Sequence, residues 1–193
     1  MKLVFATQNR HKLHEIQALM PKGIELLSLQ DLDYNHDIEE TGGTLRENAL
    51  IKARFIYEKF GINCFADDSG LEVEALDGAP GVYSARYAGK EQIAANNVKK
   101  LLEEMEGQDN RVAVFKTVIA LVINDQDHFF EGAIEGEITY SQMGTGGFGY
   151  DPVFKPLGYN HTFAEMSAGE KNAISHRARA VNKLVDFLKQ IKG

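Results

Sequence analysis

Two neighbouring carboxylates, Asp67 and Asp68, follow a short apolar segment in the sequence Asp67-Asp68-Ser69-Gly70. Like charges this close repel each other, and a hard divalent cation relieves the repulsion. Mg²⁺ prefers one or two carboxylates together with phosphate oxygens. Because successive strand residues face opposite sides, one aspartate can bind metal while the other accepts a proton from water. The competing interpretation is a solvated acidic turn, which is the commoner explanation for this tetrapeptide alone.

A second acidic pair, Glu39-Glu40, lies shortly before a predicted helix. Acidic residues complement the positive end of a helix dipole, so a purely structural role explains this pair equally well. Metal binding gains weight because a Mg²⁺ site at Asp68 needs another oxygen ligand. We therefore predict that a glutamate of this pair, Glu39 or Glu40, binds the metal together with Asp68.

A polar segment near the N-terminus joins a predicted strand to a predicted helix. Backbone amides and the positive helix end bind phosphate at such a junction, and Lys12 adds a full positive charge. Short polar loops of this kind are common, and the segment lacks the glycines and the Lys-Ser/Thr pair of a P-loop. The residues predicted to bind phosphate here are Thr7, Gln8, Asn9, Arg10, His11 and Lys12.

A glycine-rich segment, Gly144 to Gly149, contains a formal G-x-G-x-x-G. A dinucleotide-binding fingerprint opens a helix directly after a strand, whereas Pro152 disfavours a helical conformation at Asp151. We therefore reject the dinucleotide interpretation. Either the segment presents Phe148 and Asp151 to a ligand on a flexible backbone, or it is an ordinary glycine loop. A further motif, Ser175-His176-Arg177, follows Lys171 on the last predicted helix and is a weak signal by itself.

Taken together, these segments resemble the inosine/xanthosine triphosphate pyrophosphatase family, the Ham1-like non-canonical purine NTP pyrophosphatases. The motifs occur in order from residue 7 to residue 177, and their joint order is specific. One departure is Gln8, where many members have glycine. The matching motifs are Thr7-Gln8-Asn9…Lys12, Glu39-Glu40-Thr41-Gly42…Glu47-Asn48-Ala49…Lys52-Ala53, Ala66-Asp67-Asp68-Ser69-Gly70-Leu71, Gly78-Ala79-Pro80-Gly81…Ser84-Ala85-Arg86-Tyr87, Gly146-Gly147-Phe148-Gly149-Tyr150-Asp151-Pro152 and Glu170-Lys171…Ser175-His176-Arg177.

The resemblance implies a Mg²⁺-dependent homodimer that cleaves (d)ITP and XTP to the monophosphate and pyrophosphate, cleansing the nucleotide pool. It implies that Asp68 is the general base and a metal ligand, and that Lys52 faces the phosphates. Our catalytic assignment is Asp68, Asp67 and Lys52, because the residues alone do not decide which aspartate accepts the proton. The resemblance places substrate contacts, beyond the phosphate loop, at Ser69, Phe148, Gly149, Tyr150, Asp151, Lys171, His176 and Arg177.

We expect the purine bases to be distinguished by the group they carry at position 6. Hypoxanthine and xanthine carry an O6 acceptor where adenine carries an amino donor. A donor from His176 or Arg177 aimed at that atom would be left unpaired by adenine, a penalty of ~1–3 kcal/mol or more. Phe148 is expected to stack on the purine ring, while Lys12, Lys52 and Lys171 take up phosphate charge.

The elements that must position these residues mix βα units with a long hairpin. Hydrophobic periodicity predicts helices over residues 13–20, 45–60, 91–105 and 168–191, and strands over 2–6, 24–29, 62–66 and 71–76. A hairpin is predicted over residues 111–139 with a turn at 124–127. The pattern predicts an α/β fold, α+β mixed, around a mixed sheet. The resemblance adds that residues 1–193 form one ITPase-like domain of two lobes around a central cleft.

Composition and charge narrow the partners. A chain of 193 residues that is 44% hydrophobic and 25% charged is typical of a soluble globular protein. The net charge of −7 argues against a nucleic-acid partner, but it leaves open a small nucleoside triphosphate held by a few lysines and a metal. No apolar run reaches the ~18 residues of a membrane span. A single cysteine, Cys64, favours a reducing, cytoplasmic location.

Two rival functions remain open at this stage. One is a Maf-like nucleotide pyrophosphatase with a different base preference, which would lack the motifs around Phe148 and His176. The other is a nucleotide-binding module without turnover, against which the two acidic pairs count.

Overall fold

Six strands form one mixed sheet in the part of the chain that the computed structural model describes, residues 1–191. The strand order is β2-β1-β3-β4-β5-β6. β1 runs parallel to both β2 and β3, and β5 runs antiparallel to β6. The strands are β1 Lys2–Phe5, β2 Glu25–Ser28, β3 Cys64–Val73, β4 Val112–Ile123, β5 Gln126–Ile138 and β6 Phe154–Pro156. The predicted mixed α/β fold class is confirmed.

The α-helices described for residues 1–191 are α1 Arg10–Leu19, α2 Leu45–Phe60, α3 Ala94–Glu104, α4 Ala168–Ile174 and α5 His176–Gln190. Polar side chains cap the N-termini of α2 and α4. The Thr44 hydroxyl accepts from the Glu47 amide at 3.1 Å, and Ser167 and Glu170 form a reciprocal capping box. No helix in this part of the chain is long and apolar enough to cross a membrane.

Two sequence predictions about these elements are wrong. The strand predicted to end at Asp67 continues through Asp68, Ser69 and Gly70, so the tetrapeptide is the middle of β3 and not a turn. Neighbouring cations compensate the negative charges of the two aspartates, so the carboxylates can be buried in the strand without being hydrated. The single C-terminal helix is also interrupted, because the backbone of Ser175 is extended (φ −62°, ψ 155°) between α4 and α5.

The hairpin between β4 and β5 is tighter than predicted. Its turn has two residues, Asn124 and Asp125, instead of four, and both have positive φ (51° and 62°). Positive φ at both positions is the signature of a type I′ turn, which asparagine and aspartate tolerate.

Two compact units share the chain. The first unit comprises residues 1–68, 117–132 and 177–193, and the second comprises residues 69–116 and 133–176. The boundaries fall inside β3, β4 and β5 and after the first residue of α5. The single two-lobed domain with a cleft therefore stays a prediction.

The core of the first unit follows the alternation of side chains along its strands. Odd-numbered strand residues such as Leu3 and Phe65 pack in one buried cluster with Ile16 of α1 and the apolar face of α5. Even-numbered residues such as Ala66 pack in another buried cluster with the Ala49, Ala53 and Ile56 face of α2. Each face of β3 is thereby assigned to different helices.

The core of the second unit is rich in aromatic rings. Phe115 of β4, Phe154 of β6 and Phe163 pack with Leu71 of β3 and with the buried face of α3. Phe115 and Phe163 of this cluster also lie beside the ring of His176.

Candidate active site

Side chains alternate along a strand, so the two aspartates of β3 lie on opposite faces of the sheet. Asp67 continues the odd-numbered side of Phe65, which α1 and α5 cover, and Asp68 continues the even-numbered side of Ala66, which α2 covers. Neighbouring carboxylates therefore meet different cations. The pair is divided between two environments before any ligand is considered.

Asp67 is buried in a network of ion pairs. It is 1% exposed. The Lys12 ammonium donates to its Oδ1 at 3.1 Å and lies 3.0 Å from its Oδ2. The Arg177 guanidinium donates from Nε to Oδ2 at 3.3 Å, and from Nη1 to the Glu15 carboxylate at 2.5 Å. The charges alternate from Glu15 through Arg177 and Asp67 to Lys12, so α1, β3 and α5 are joined by opposite charges.

The ion pairs keep Asp67 ionised. Burial raises the pKa of this carboxyl, but the charges of Lys12, Arg177 and Lys52 outweigh burial and hold the pKa well below its usual range. Burial lowers the pKa of Lys12, although Asp67 opposes the change. Asp67 is therefore a permanent anion that positions two cations, and it is poorly suited to accepting a proton.

Asp68 has the opposite character. It is 8% exposed. Asn48 of α2 donates from Nδ2 to its Oδ2 at 3.3 Å, and the Lys52 ammonium lies 3.8 Å from its Oδ1. Burial, together with Glu40 and Asp67, raises the pKa of Asp68 despite the opposing charges of Lys52 and Lys12. A carboxylate with a raised pKa is the stronger base, so Asp68 is the better proton acceptor of the two.

The structure distinguishes the two glutamates of the acidic pair. Glu39 is exposed, whereas Glu40 is half-buried and accepts a hydrogen bond from the Lys52 ammonium. Lys52 thus lies against both Glu40 and Asp68. Burial lowers the pKa of Lys52, but Asp68, Glu40 and Asp67 together raise it above its usual value.

Glu40 and Asp68 suit a divalent cation. They bring carboxylates from two segments to one ammonium, and their donor atoms are all oxygen, as Mg²⁺ prefers. Within residues 1–191 no group of three or more His, Cys, Asp or Glu side chains is arranged to hold a metal ion. Two carboxylates are nevertheless the number that Mg²⁺ commonly uses beside phosphate oxygens.

The N-terminal loop that was predicted to bind phosphate is organised by Asn9. Its side-chain oxygen accepts from the backbone amides of His11 and Lys12 at 3.0 and 3.2 Å, so Asn9 caps α1. Thr7 Oγ1 accepts from the Asn9 amide at 3.2 Å, and Gln8 donates to the His36 carbonyl at 2.5 Å. The first helix amides are therefore used by Asn9, and the Lys12 charge points to Asp67. Arg10 and His11 are exposed.

A second cluster, in the second unit, pairs a cation with aromatic rings. Lys171 of α4 lies 2.6 Å from the Asp151 carboxylate, and both side chains are buried. The Lys171 ammonium is 4.7 Å from the centre of the Phe148 ring and 5.6 Å from that of Phe163. Asp151 also accepts from the Phe148 amide at 2.8 Å. Lys171, predicted to meet phosphate, is thus placed beside the residues predicted to meet the base.

The glycine loop is shaped around Asp151. A Cβ at Gly147 would lie 2.0 Å from the Asp151 carboxylate, and the φ of Gly147 is +67°. Gly149 also has a positive φ of 61°, and the buried Tyr150 donates its hydroxyl to the Ser84 carbonyl at 2.8 Å. The loop is held by specific contacts at Phe148, Tyr150 and Asp151, and its presentation of Phe148 and Asp151 to a ligand stays a prediction.

His176 and Arg177 belong to different units although they are neighbours in the chain. The His176 imidazole stacks on Phe115 in the second unit, and Arg177 pairs with Asp67 and Glu15 in the first. Ser69 is half-buried in β3, next to Asp68. The contacts that were predicted from Ser69, His176 and Arg177 to a substrate stay predictions.

Sequence reasoning missed three residues of these clusters: Glu15, Asn48 and Phe115. Glu15 follows Lys12 by three positions and Asn48 precedes Lys52 by four. Residues at these spacings share a helix face, which was the available signal. The sequence does not distinguish Phe115 from the other apolar residues of β4.

Comparison with known proteins decides the family. A model of the Ham1 family matches residues 3–187. The chain belongs to the Ham1 family. A dITP/XTP pyrophosphatase of Christiangramia forsetii is 55% identical over 188 residues, which cover 97% of this chain and 99% of that protein. A dITP/XTP pyrophosphatase of Porphyromonas gingivalis is 54% identical over 188 residues, which cover 97% of this chain and 97% of that protein.

Solved Ham1 structures share the fold. A HAM1 protein from Coxiella burnetii, 42% identical, superposes with a TM-score of 0.91 over 98% of this chain and 99% of its own. The resemblance drawn from the motifs is confirmed. Membership of the Ham1 family also removes the Maf-like alternative as a description of this chain.

Replacing Asp67 by asparagine should destabilise the protein strongly. The Asp67→Asn variant leaves Lys12 and Arg177 buried without their shared carboxylate, which should lower the free energy of unfolding by about 3–5 kcal/mol at pH 7. The pKa of Asp67 is lowered in the folded protein, so its contribution is fully present above the ordinary carboxyl pKa of about 4 and is lost progressively as the pH falls from there towards the lowered folded-state pKa. The difference from wild type should therefore shrink in acid.

Urea denaturation between pH 3 and pH 7 measures this effect. Asp109→Asn, the same change in an exposed loop, is the matched control. An Asp67→Asn variant no less stable than this control would contradict the role given to Asp67.

Replacing Asp68 should have the opposite effect on stability. Because the pKa of Asp68 is raised in the folded protein, its charge destabilises the fold at neutral pH, and Asp68→Asn should have a higher Tm than wild type there. As the pH falls through the raised pKa, wild type protonates Asp68 and the gain should fade. Thermal unfolding at pH 7.5 and at pH 4 provides the comparison, and a lower Tm for Asp68→Asn at pH 7.5 would argue against this environment.

Proposed function

We propose that this chain hydrolyses non-canonical purine nucleoside triphosphates (ITP, dITP and XTP) to the monophosphate and pyrophosphate, with Mg²⁺ as cofactor. The observation that carries the proposal is the placement of the two aspartates on opposite faces of β3, with Asp67 against Lys12 and Arg177 and Asp68 against Lys52 and Asn48. The names of the relatives from Christiangramia forsetii and Porphyromonas gingivalis support the same activity.

Asp68 is the proposed general base for water. Its carboxylate accepts the proton as the water oxygen attacks phosphorus, and the raised pKa strengthens that acceptance. Mg²⁺ held by Glu40 and Asp68 would supply Lewis-acid polarisation of phosphate oxygens. The remaining negative charge is met by Lys12 and Lys52, which the carboxylates of Asp67, Glu40 and Asp68 already hold in place. Catalysis of this kind depends on positioning and on charge stabilisation.

Asp67 is the proposed positioning residue of the phosphate site. Its two ion pairs fix Lys12 and Arg177, and Glu15 fixes the far side of the guanidinium. An Asp67 that stays ionised holds Lys12 in one place while Asp68 changes protonation. Neighbouring carboxylates can then serve different purposes without competing for one proton.

Base recognition is assigned to the second cluster. Phe148 is a flat, half-buried ring held by Lys171 and Asp151, and it is suited to stacking on a purine. His176 is the proposed donor to O6, because Arg177 is already engaged by Asp67 and Glu15. Adenine would leave such a donor unpaired, which explains rejection of ATP.

Two further expectations rest on the family resemblance. We propose a homodimer, which the mass of the protein in solution tests. We also propose a cytoplasmic location, because the nucleotide pool that such an enzyme cleanses is cytoplasmic and the one cysteine, Cys64, is a free thiol.

Pyrophosphate release from ITP, dITP, XTP, GTP and ATP tests the proposal. Wild type with Mg²⁺ should turn over ITP, dITP and XTP in preference to ATP, and EDTA should abolish release. Asp68→Asn should lower kcat by at least about 100-fold while the protein stays folded. A nucleotide-binding module would release no pyrophosphate from any substrate.

A matched pair of variants tests the metal assignment in the same assay. Glu40→Gln should require more Mg²⁺ for half-maximal activity, whereas the same change at the exposed neighbour, Glu39→Gln, should leave the requirement unchanged. Equal Mg²⁺ requirements for the two variants would remove Glu40 from the proposed metal site.

A further inference from the structure

The imidazole of His176 lies flat against the ring of Phe115. The two ring centres are 4.6 Å apart and the planes differ by only 6°. His176 is 3% exposed and Phe115 is 7% exposed. An offset parallel stack at this distance is a favourable aromatic geometry. The plane of the imidazole is therefore set by a neighbour that carries no polar group.

Phe115 is itself held from two other directions. The ring of Phe154 meets it edge-on, with centres 4.6 Å apart and planes at 65°, and the ring of Phe163 lies at 6.1 Å and 26°. Phe154 and Phe163 are both buried. Close-packed interiors leave little room for a ring to turn, so Phe115 presents one fixed flat face to His176.

The orientation of this plane matters for hydrogen bonding. The N–H groups and lone pairs of an imidazole point outward in the plane of the ring. A donor selects between an oxygen and an amino group only if its direction is fixed when the base arrives. Free rotation about the Cβ–Cγ bond would let the imidazole turn away from an unsuitable base and avoid an unpaired contact.

We propose that Phe115 is a specificity-determining positioning residue, which fixes the His176 imidazole plane so that purines bearing O6 are preferred to adenine. The inference rests on the proposed function, in which His176 reads O6. Phe115 touches neither the phosphates nor the reacting atoms in this account. Its removal should change the choice of base more than the rate of hydrolysis.

Phe115→Leu is the direct test, because leucine keeps an apolar side chain in the core but has no flat face. The ratio of kcat/KM for ITP to that for ATP should fall at least about tenfold, through weaker rejection of ATP. Turnover of saturating ITP should change much less. Phe154→Leu is the matched control, since it removes a ring from the same core that meets Phe115 edge-on, and it should keep the ratio of wild type.

A spectroscopic readout accompanies the kinetics. The Cε1 proton of His176 in wild type should show the upfield NMR shift of a ring stacked on an aromatic face, and Phe115→Leu should lose that shift. Should the leucine variant fail to fold, Phe115→Met carries the same test with a more adaptable side chain.

The outcomes separate the two proposals. A wild-type enzyme without preference for ITP over ATP would overturn the proposed function and this inference with it. A clear wild-type preference that survives in Phe115→Leu, or in Phe115→Met in its place, would overturn the inference alone. An equal loss in Phe154→Leu would also overturn it, because general loosening of the core would then explain the change.

Discussion

The alternation of side chains along β3 is the constraint on which the rest of the candidate site depends. Neighbouring carboxylates on one strand must face opposite sides, and in this chain each side is covered by a helix that brings its own cation. Lys12 of α1 and Arg177 of α5 meet Asp67, whereas Lys52 and Asn48 of α2 reach Asp68. Two adjacent aspartates can then remain buried in a strand, where like charges alone would favour a solvated turn.

The same arrangement separates two chemical roles. Neighbouring positive charges hold the pKa of Asp67 well below its usual range, so Asp67 stays ionised at neutral pH. Burial and two neighbouring carboxylates raise the pKa of Asp68. Buried ion pairs contribute little net stability, because desolvation offsets their attraction. Their value here is positional, since they hold Lys12 and Arg177 in place around Asp67.

Much of this could be predicted from the sequence, because strand and helix periodicity, capping boxes and the order of the motifs are local patterns. The fold class and the family followed from them. The predictions that were wrong also have physical causes. A local stretch of sequence cannot show that distant cations neutralise Asp67, so the predicted strand ended before the true end of β3. The extended backbone at Ser175 does not interrupt the helical spacing of apolar residues, so the break between α4 and α5 was not predicted. Phe115 acts through a long-range contact with His176, which a single sequence does not encode visibly.

β3 gives its two neighbouring carboxyls, Asp67 and Asp68, opposite protonation behaviour. Carbon-13 NMR titration of their side-chain carboxyls measures it most directly, with each aspartate replaced by asparagine in turn to assign the signals. We expect an apparent pKa below the ordinary value of about 4 for Asp67 and above it for Asp68. The reverse order, or a single shared value near 4, would contradict it.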